Sequence, residues 1–263
     1  MKKRRLVILS GVPAVTGGTS DGSAVGQHEP DPGYFGIRAK GKIAIEAKPE
    51  PLEIDLSRTA ILVVDMQNAF VKKGGMLEKA DRPLVGEVTI KPIQRILKVG
   101  REKDIKIIYM RYVYNKDLSD SGGPQSPNWY KESGLILMHE HPELKGKLLT
   151  AGTWDAEIID ELKPLPDDIV VDKMRYSGFW GTKLDYVLTT LNIKYLVYTG
   201  IAINVCLGTT LIDSFFREYW PILVTDAVDH IGPECCRDGL LWTIERFFGW
   251  LTTSDRLIES LSK

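Results

Sequence analysis

Cysteine is scarce. The chain has 263 residues and three of them, Cys206, Cys235 and Cys236. Two are adjacent in sequence and make a poor structural pair. So small and odd a set excludes a disulfide scaffold and fits a reducing compartment, so a cytoplasmic location is expected. Excess charge of one sign is also missing: Lys and Arg number 34, Asp and Glu 35. No basic face or charged tail points to nucleic acid or a membrane surface. Apolar runs are short, well under the roughly 20 residues of a membrane span. Repeats and internal linkers are absent as well, so a small molecule is the expected partner.

What is present sorts into two parts. Residues 1–48 open on a basic, briefly apolar start, "MKKRRLVILSGVPAV", that loosely resembles a secretory signal. The run breaks at Gly11 and Pro13, and no clear small-x-small cleavage site follows. The next stretch is rich in Gly, Ser, Asp and Pro and reads as an irregular arm. Residues 49–263 read as one domain. Five apolar runs recur there: "TAILVVD" ending at Asp65, "IKIIYMRY" near Ile105 to Tyr112, "DIVVDK" ending at Lys173, "KYLVYTG" ending at Gly200, and "WPILVTD" ending at Asp226. A sixth, weaker candidate is "GWLTT", Gly249 to Thr253. Short runs that are apolar on both faces suit buried parallel strands. Helical spacing falls between them, over 85–102, 154–162, 183–191, 205–218 and 234–248. The alternation predicts a three-layer, doubly wound, mostly parallel six-stranded sheet with helices on both faces.

One segment breaks the rhythm. "VYNKDLSDSGGPQSPNWYKESG", Val113 to Gly134, is long, polar and rich in Gly and Pro. It follows the second run, at the carboxyl edge of the sheet, where ligands bind in open α/β folds. Trp129 and Tyr130 within it could close over a pocket or anchor the loop.

The same edge collects chemistry. Asp65 ends the first run, Lys173 ends the third, and Cys206 opens the helix after the fourth. A helix amino terminus and a nearby ammonium both favour a thiolate. Asn204 is a good helix-capping type, which would put Cys206 in the first turn. Asp65 could take the thiol proton and return it to a leaving nitrogen, and first-turn N–H groups could receive an oxyanion. Taken singly, each residue has a plain structural reading: a buried Cys is usually a small hydrophobe, an Asp at a strand end is often a turn former, and a Lys there is usually solvated.

The segments "VVDMQNAF", "DKMRYSGFWGT" and "TGIAINVC" together resemble the isochorismatase-like cysteine hydrolases. That resemblance implies a catalytic set of Asp65, Lys173 and Cys206. It also implies a non-proline cis peptide at Ile201–Ala202, which would turn the Ala202 N–H toward the oxyanion beside that of Cys206. Phe70, Tyr112, Tyr114 and Tyr176 are the expected substrate-binding residues. A homo-oligomer, dimer or tetramer, is expected. "AKPEPL", "GGPQSPN", "PELKGKLLTAGTWD" and "IERFFGW" are similar to segments of one branch, the ureidoacrylate amidohydrolases of pyrimidine degradation. Over roughly Pro49 to Trp250 the implied activity is cysteine-dependent cleavage of a C–N bond in a small linear amide or ureido compound.

Departures from the branch are visible. It typically has Asn and Trp facing the substrate after the second strand, and an acid further along the loop; here Tyr112, Tyr114 and Asp120 stand in those places. Met174 replaces a common Pro. A bulkier or aromatic amide is therefore an alternative substrate. A non-catalytic binding protein and a thiol redox protein are alternatives of other classes. The sister nicotinamidases carry a metal-binding Asp-x-His cluster after the second strand, where this chain reads "RYVYNK". His139 and His141, in "HEHP", lack further partners, so neither metal nor cofactor is expected.

Overall fold

A computed structural model describes residues 41–263. The arm before Gly41, His28 included, lies outside the described residues. Eight strands run in chain order: β1 Lys42–Ile45, β2 Leu52–Asp55, β3 Thr59–Val64, β4 Lys106–Tyr112, β5 Ile169–Lys173, β6 Tyr195–Gly200, β7 Trp220–Val228 and β8 Trp250–Thr252. Eight helices accompany them: α1 Asn68–Val71, α2 Met76–Lys79, α3 Ile90–Glu102, α4 Ser133–Glu140, α5 Leu184–Thr190, α6 Cys206–Phe215, α7 Glu234–Thr243 and α8 Ser254–Ser262.

Strands β3 to β8 form one sheet in the order β5-β4-β3-β6-β7-β8. All of its pairings are parallel. The chain winds outward from β3 through β4 to β5, then returns to β6 beside β3 and winds the other way. Right-handed crossovers put α3, between β3 and β4, on the face opposite α6, between β6 and β7. Every residue of β3 is buried, as its apolar run requires at the centre of a covered sheet. Helix α3 meets the sheet through Ile93, Ile96, Leu97 and Gly100, one stripe at helical spacing.

The switch from outward to return winding lies between β3 and β6, and this is where an open sheet leaves a crevice. Gly200 makes the close pairing there possible. It sits at φ +104°, and a Cβ at that position would fall 2.2 Å from Val64 O. Ile201 N–H donates to the same oxygen. Gly208 plays a second such part: a Cβ there would fall 2.0 Å from Ile203 O, so only glycine lets α6 seat against the turn that precedes it.

Three expectations need correction. Residues 42–48 are not irregular: β1 pairs antiparallel with β2, and Lys48 bridges Leu251 of β8. The stretch 154–162 is not a helix. It forms two short 3-10 turns, because four of its backbone groups bond to the segment after β3. Trp154 O takes Asn68 Nδ2–H, Ala156 O takes Gln67 Nε2–H, Glu157 O takes Asn68 N–H, and Ile159 N–H donates to Met66 O. The end of the long polar segment is helical as α4. Its first turn is capped by Glu132, not by one of the usual short capping residues.

Candidate active site

Asp65 follows β3 directly, at φ +51°. Asp is one of the few side chains that tolerate this left-handed conformation. Its N–H donates to Met110 O on β4, and Gln67 N–H donates to Asp65 O. Gln67, fully buried, fixes the next strand end as well: its amide donates to Tyr112 O at 3.0 Å and accepts from Tyr112 N–H at 2.7 Å. One side chain thus locks the ends of β3 and β4 together. The sequence reading did not single out Gln67.

Lys173 is the last residue of β5, two strands from β3, and pairs in register with Tyr112. Its side chain crosses the Tyr112 ring, with Nζ 4.2 Å from the centroid. It ends 2.8 Å from Asp65 Oδ2, and both partners are shut off from solvent. Distance makes this an ion pair. Neither Asp65 oxygen has a hydrogen bond of good geometry among the described residues, so lone pairs remain for a proton.

Cys206 is the first residue of α6 and is buried. Asn204 does not cap this helix. Its amide instead clasps Ile231, donating to Ile231 O at 2.7 Å and accepting from Ile231 N–H at 3.1 Å. The Ile201–Ala202 peptide is cis. In this turn Val205 and Leu207 N–H both donate to Ala202 O, and Ile203 N–H donates to Asp229 O. The N–H groups of Ala202 and Cys206 have no protein acceptor among the described residues.

Electrostatics revises one expectation. Burial pushes the Cys206 thiol well above its usual range, with Lys173 opposing and Asp65 adding to the rise. Desolvation thus opposes the thiolate that the helix terminus and the Lys173 ammonium favour. Burial also raises the Asp65 carboxyl, against the pull of Lys173. At Lys173, burial works against the charge, but Asp65 and Cys206 overcome it and hold the ammonium charged. A thiol beside a carboxylate of raised basicity is set up for proton exchange.

Asp65 and Cys206 open onto a cleft at the sheet's carboxyl edge. Phe70, Tyr112 and Tyr176 line it, with Met76, Leu77, Ala202, Val205 and Ile231. Lys173 lies behind the wall.

Tyr114 does not line the cleft. It is fully buried behind Tyr112. Its N–H donates to Leu149 O, and Ala151 N–H donates to its carbonyl, so the chain after β4 turns under the 148–151 segment. The Tyr114 hydroxyl lies 2.9 Å from the Tyr112 hydroxyl, accepts from Asn128 Nδ2–H at 3.0 Å, and lies 3.4 Å from Glu132 Oε2. Asp120 is absent from the cleft too; its carboxylate accepts from Asn115 N–H. The cleft does contain an acid that the sequence reading missed, the buried Glu132. Its carboxylate accepts from the N–H groups of Gly134 and Leu135, and burial still holds its pKa above the usual value.

Of the aromatic loop residues, Trp129 stacks on His139, and Tyr130 is exposed with its hydroxyl on Pro124 O. Neither lines the cleft. His141 lies near Glu143 at the surface.

Residues 59–256 match the isochorismatase domain family. The chain belongs to the isochorismatase family. Among its relatives, the ureidoacrylate amidohydrolase RutB of Agrobacterium fabrum is 43% identical over 80% of this chain and 93% of its own length. The RutB of Caulobacter segnis is 44% identical, over 81% and 90%. Solved structures agree. A cysteine hydrolase from Pseudomonas syringae pv. phaseolicola superposes with a TM-score of 0.67 at 29% identity, covering 85% of this chain and 98% of that one. The N-carbamoylsarcosine amidase of Thermoplasma acidophilum does so with a TM-score of 0.56 at 25% identity, covering 75% and 97%. The isochorismatase-family sheet and its crevice are thus the frame that holds Asp65, Lys173 and Cys206.

Proposed function

We propose that the protein is a cysteine-dependent ureidoacrylate amidohydrolase that cleaves the C–N bond of the ureido group. The observation that carries this reading is the placement of Asp65 and Cys206 on one cleft, with Lys173 paired to Asp65 behind its wall, within a chain 43% identical to an enzyme so named.

The chemistry runs in two halves. The Cys206 thiol passes its proton to Asp65 as sulfur attacks the ureido carbonyl. The oxygen takes up negative charge and accepts from the N–H groups of Ala202 and Cys206. Asp65 gives the proton to the leaving nitrogen, and the amine departs, leaving a thiocarbamate on sulfur. Water, deprotonated by Asp65, then attacks the thiocarbamate. Carbamate leaves, and the proton returns to the thiol. Lys173 stays charged throughout; it holds Asp65 in place and offsets negative charge beside it. Phe70, Tyr112 and Tyr176 supply flat walls for the substrate's conjugated body.

Among the described residues no helix is long and apolar enough to cross a membrane. A free thiol as nucleophile suits a reducing compartment, which supports placement in the cytoplasm. Exposed Phe216, Trp242 and Phe247 support a homo-oligomer that covers them.

The test is direct. Purified enzyme is given ureidoacrylate, and a quenched sample is read by mass spectrometry. Turnover with a carbamoyl adduct on the peptide bearing Cys206 is the expected result. Binding without turnover would favour a non-catalytic role.

A further inference from the structure

Two cations at the catalytic cleft have no side-chain partner among the described residues. Arg82, in the turn after α2, and Lys131, just before α4, both line it. Both are exposed. Neither makes a side-chain hydrogen bond or ion pair there, whereas Arg95, Arg101 and Arg111 each hold a carboxylate. Arg175, near the rim, is spent on scaffolding: it donates to Met174 O and Asp120 O and lies over the Trp180 ring. The cleft's acids are also committed. Asp65 faces Lys173, and Glu132 accepts from Gly134 and Leu135. Unmatched charge at this cleft is therefore positive.

The two cations are anchored through their backbones. Arg82 N–H donates to Leu77 O at 3.0 Å. The Tyr176 hydroxyl donates to Lys131 O at 3.1 Å, which ties Lys131 to a residue of the cleft wall.

We infer that Arg82 and Lys131 seat an anionic end of the substrate while its scissile group lies at Cys206. This rests on the amidohydrolase reading and adds to it the residues that hold the carboxylate, at the far end of a short, flat spacer from the ureido group. Phe70 and Tyr176 line the same cleft and suit such a spacer. Arg offers a planar fork of donors to a carboxylate, and Lys adds a mobile point charge.

The experiment compares a short ureido carboxylate, 3-ureidoacrylate, with its neutral carboxamide. Wild type, Arg82→Gln, Lys131→Gln and the double variant are assayed with both. Each single change should lower kcat/KM for the acid about tenfold, through KM, as the loss of a charge-assisted hydrogen bond implies. The neutral compound should change less than about twofold, and added salt should raise KM for the acid alone. Equal losses on both compounds, or no loss on the acid, would overturn the inference. Binding to Cys206→Ala is measured in parallel by calorimetry, which needs no turnover. If wild type cleaves neither compound, the amidohydrolase reading fails by itself. Binding of the acid that weakens with Arg82→Gln and Lys131→Gln then still supports the seat, and binding indifferent to them overturns it.

Discussion

The Lys173 ammonium lies 4.2 Å from the centre of the Tyr112 ring on its way to Asp65. The two side chains come from neighbouring, register-paired strand ends. Tyr112 is therefore both a wall of the cleft and the surface over which the cation reaches its partner. A cation over an aromatic face in a desolvated site is worth up to about 2 kcal/mol. Replacing Tyr112 with Phe keeps that face, and kcat should fall less than about fivefold. Tyr112→Leu removes it, and kcat should fall tenfold or more, about the rate equivalent of losing such a contact. Steady-state kinetics on the two variants decides this; equal rates would mean the ring does not hold Lys173.

Tyr114 predicts a different signature. Its hydroxyl joins Tyr112, Asn128 and Glu132 behind the cleft. Tyr114→Phe should lower stability by about 1–3 kcal/mol, the cost of leaving buried partners unpaired. KM should stay within about twofold. Chemical denaturation and kinetics on one preparation separate the two effects, and a large KM change with normal stability would return Tyr114 to the cleft.

The fold and the edge positions of three polar residues were legible because buried parallel strands leave apolar runs, and the polar residue ending each run marks the carboxyl edge. Asp65, Lys173 and Cys206 stand at or just beyond such ends. The chain past a strand end is harder to read. The resemblance placed both Tyr112 and Tyr114 at the substrate, but the chain leaves the sheet after Tyr112 and pairs Tyr114 with Thr150. Glu132 and Gln67 were missed for a related reason. Their roles depend on where the polar loop folds back and on a bridge between strands, and no local period records either. Spacing over 154–162 looked helical because Ala156, Ile158, Ile159 and Leu162 do face inward, yet Gln67 and Asn68 take the backbone groups a helix would need.

Proton occupancy at the site gives a third expectation. Burial raises the Asp65 carboxyl, so the base is lost to protonation at a higher pH than an exposed Asp would be. The acid limb of kcat/KM should lie above the ordinary carboxylate range. Burial also raises the Cys206 thiol, so alkylation of the free enzyme by iodoacetamide near neutral pH should be slower than that of a free thiol and should accelerate toward alkaline pH. A pH–rate profile and an alkylation series check both limbs. An acid limb at the usual Asp value would contradict the buried pairing.

Glu132 supplies a fourth, through stability. Its folded-state pKa is raised by burial, so the native state binds the proton more tightly than the unfolded chain. The contribution is full at low pH and is lost as pH rises from the unfolded value through the folded one. Glu132→Gln cannot ionise. Across that window wild type should lose stability relative to Glu132→Gln as pH rises, and the difference should level off above it. Denaturation midpoints of both proteins at a series of pH values give the comparison; parallel curves would mean that Glu132 ionises normally.

The account rests on Cys206 as nucleophile, and the most direct measurement is the turnover of ureidoacrylate by Cys206→Ala beside wild type, with the fold of both checked by circular dichroism. Because the step that makes the thiocarbamate needs sulfur, the account predicts turnover by wild type and none above background for Cys206→Ala, with both proteins equally folded. A variant that keeps a tenth or more of the wild-type kcat would place the nucleophile elsewhere and contradict it.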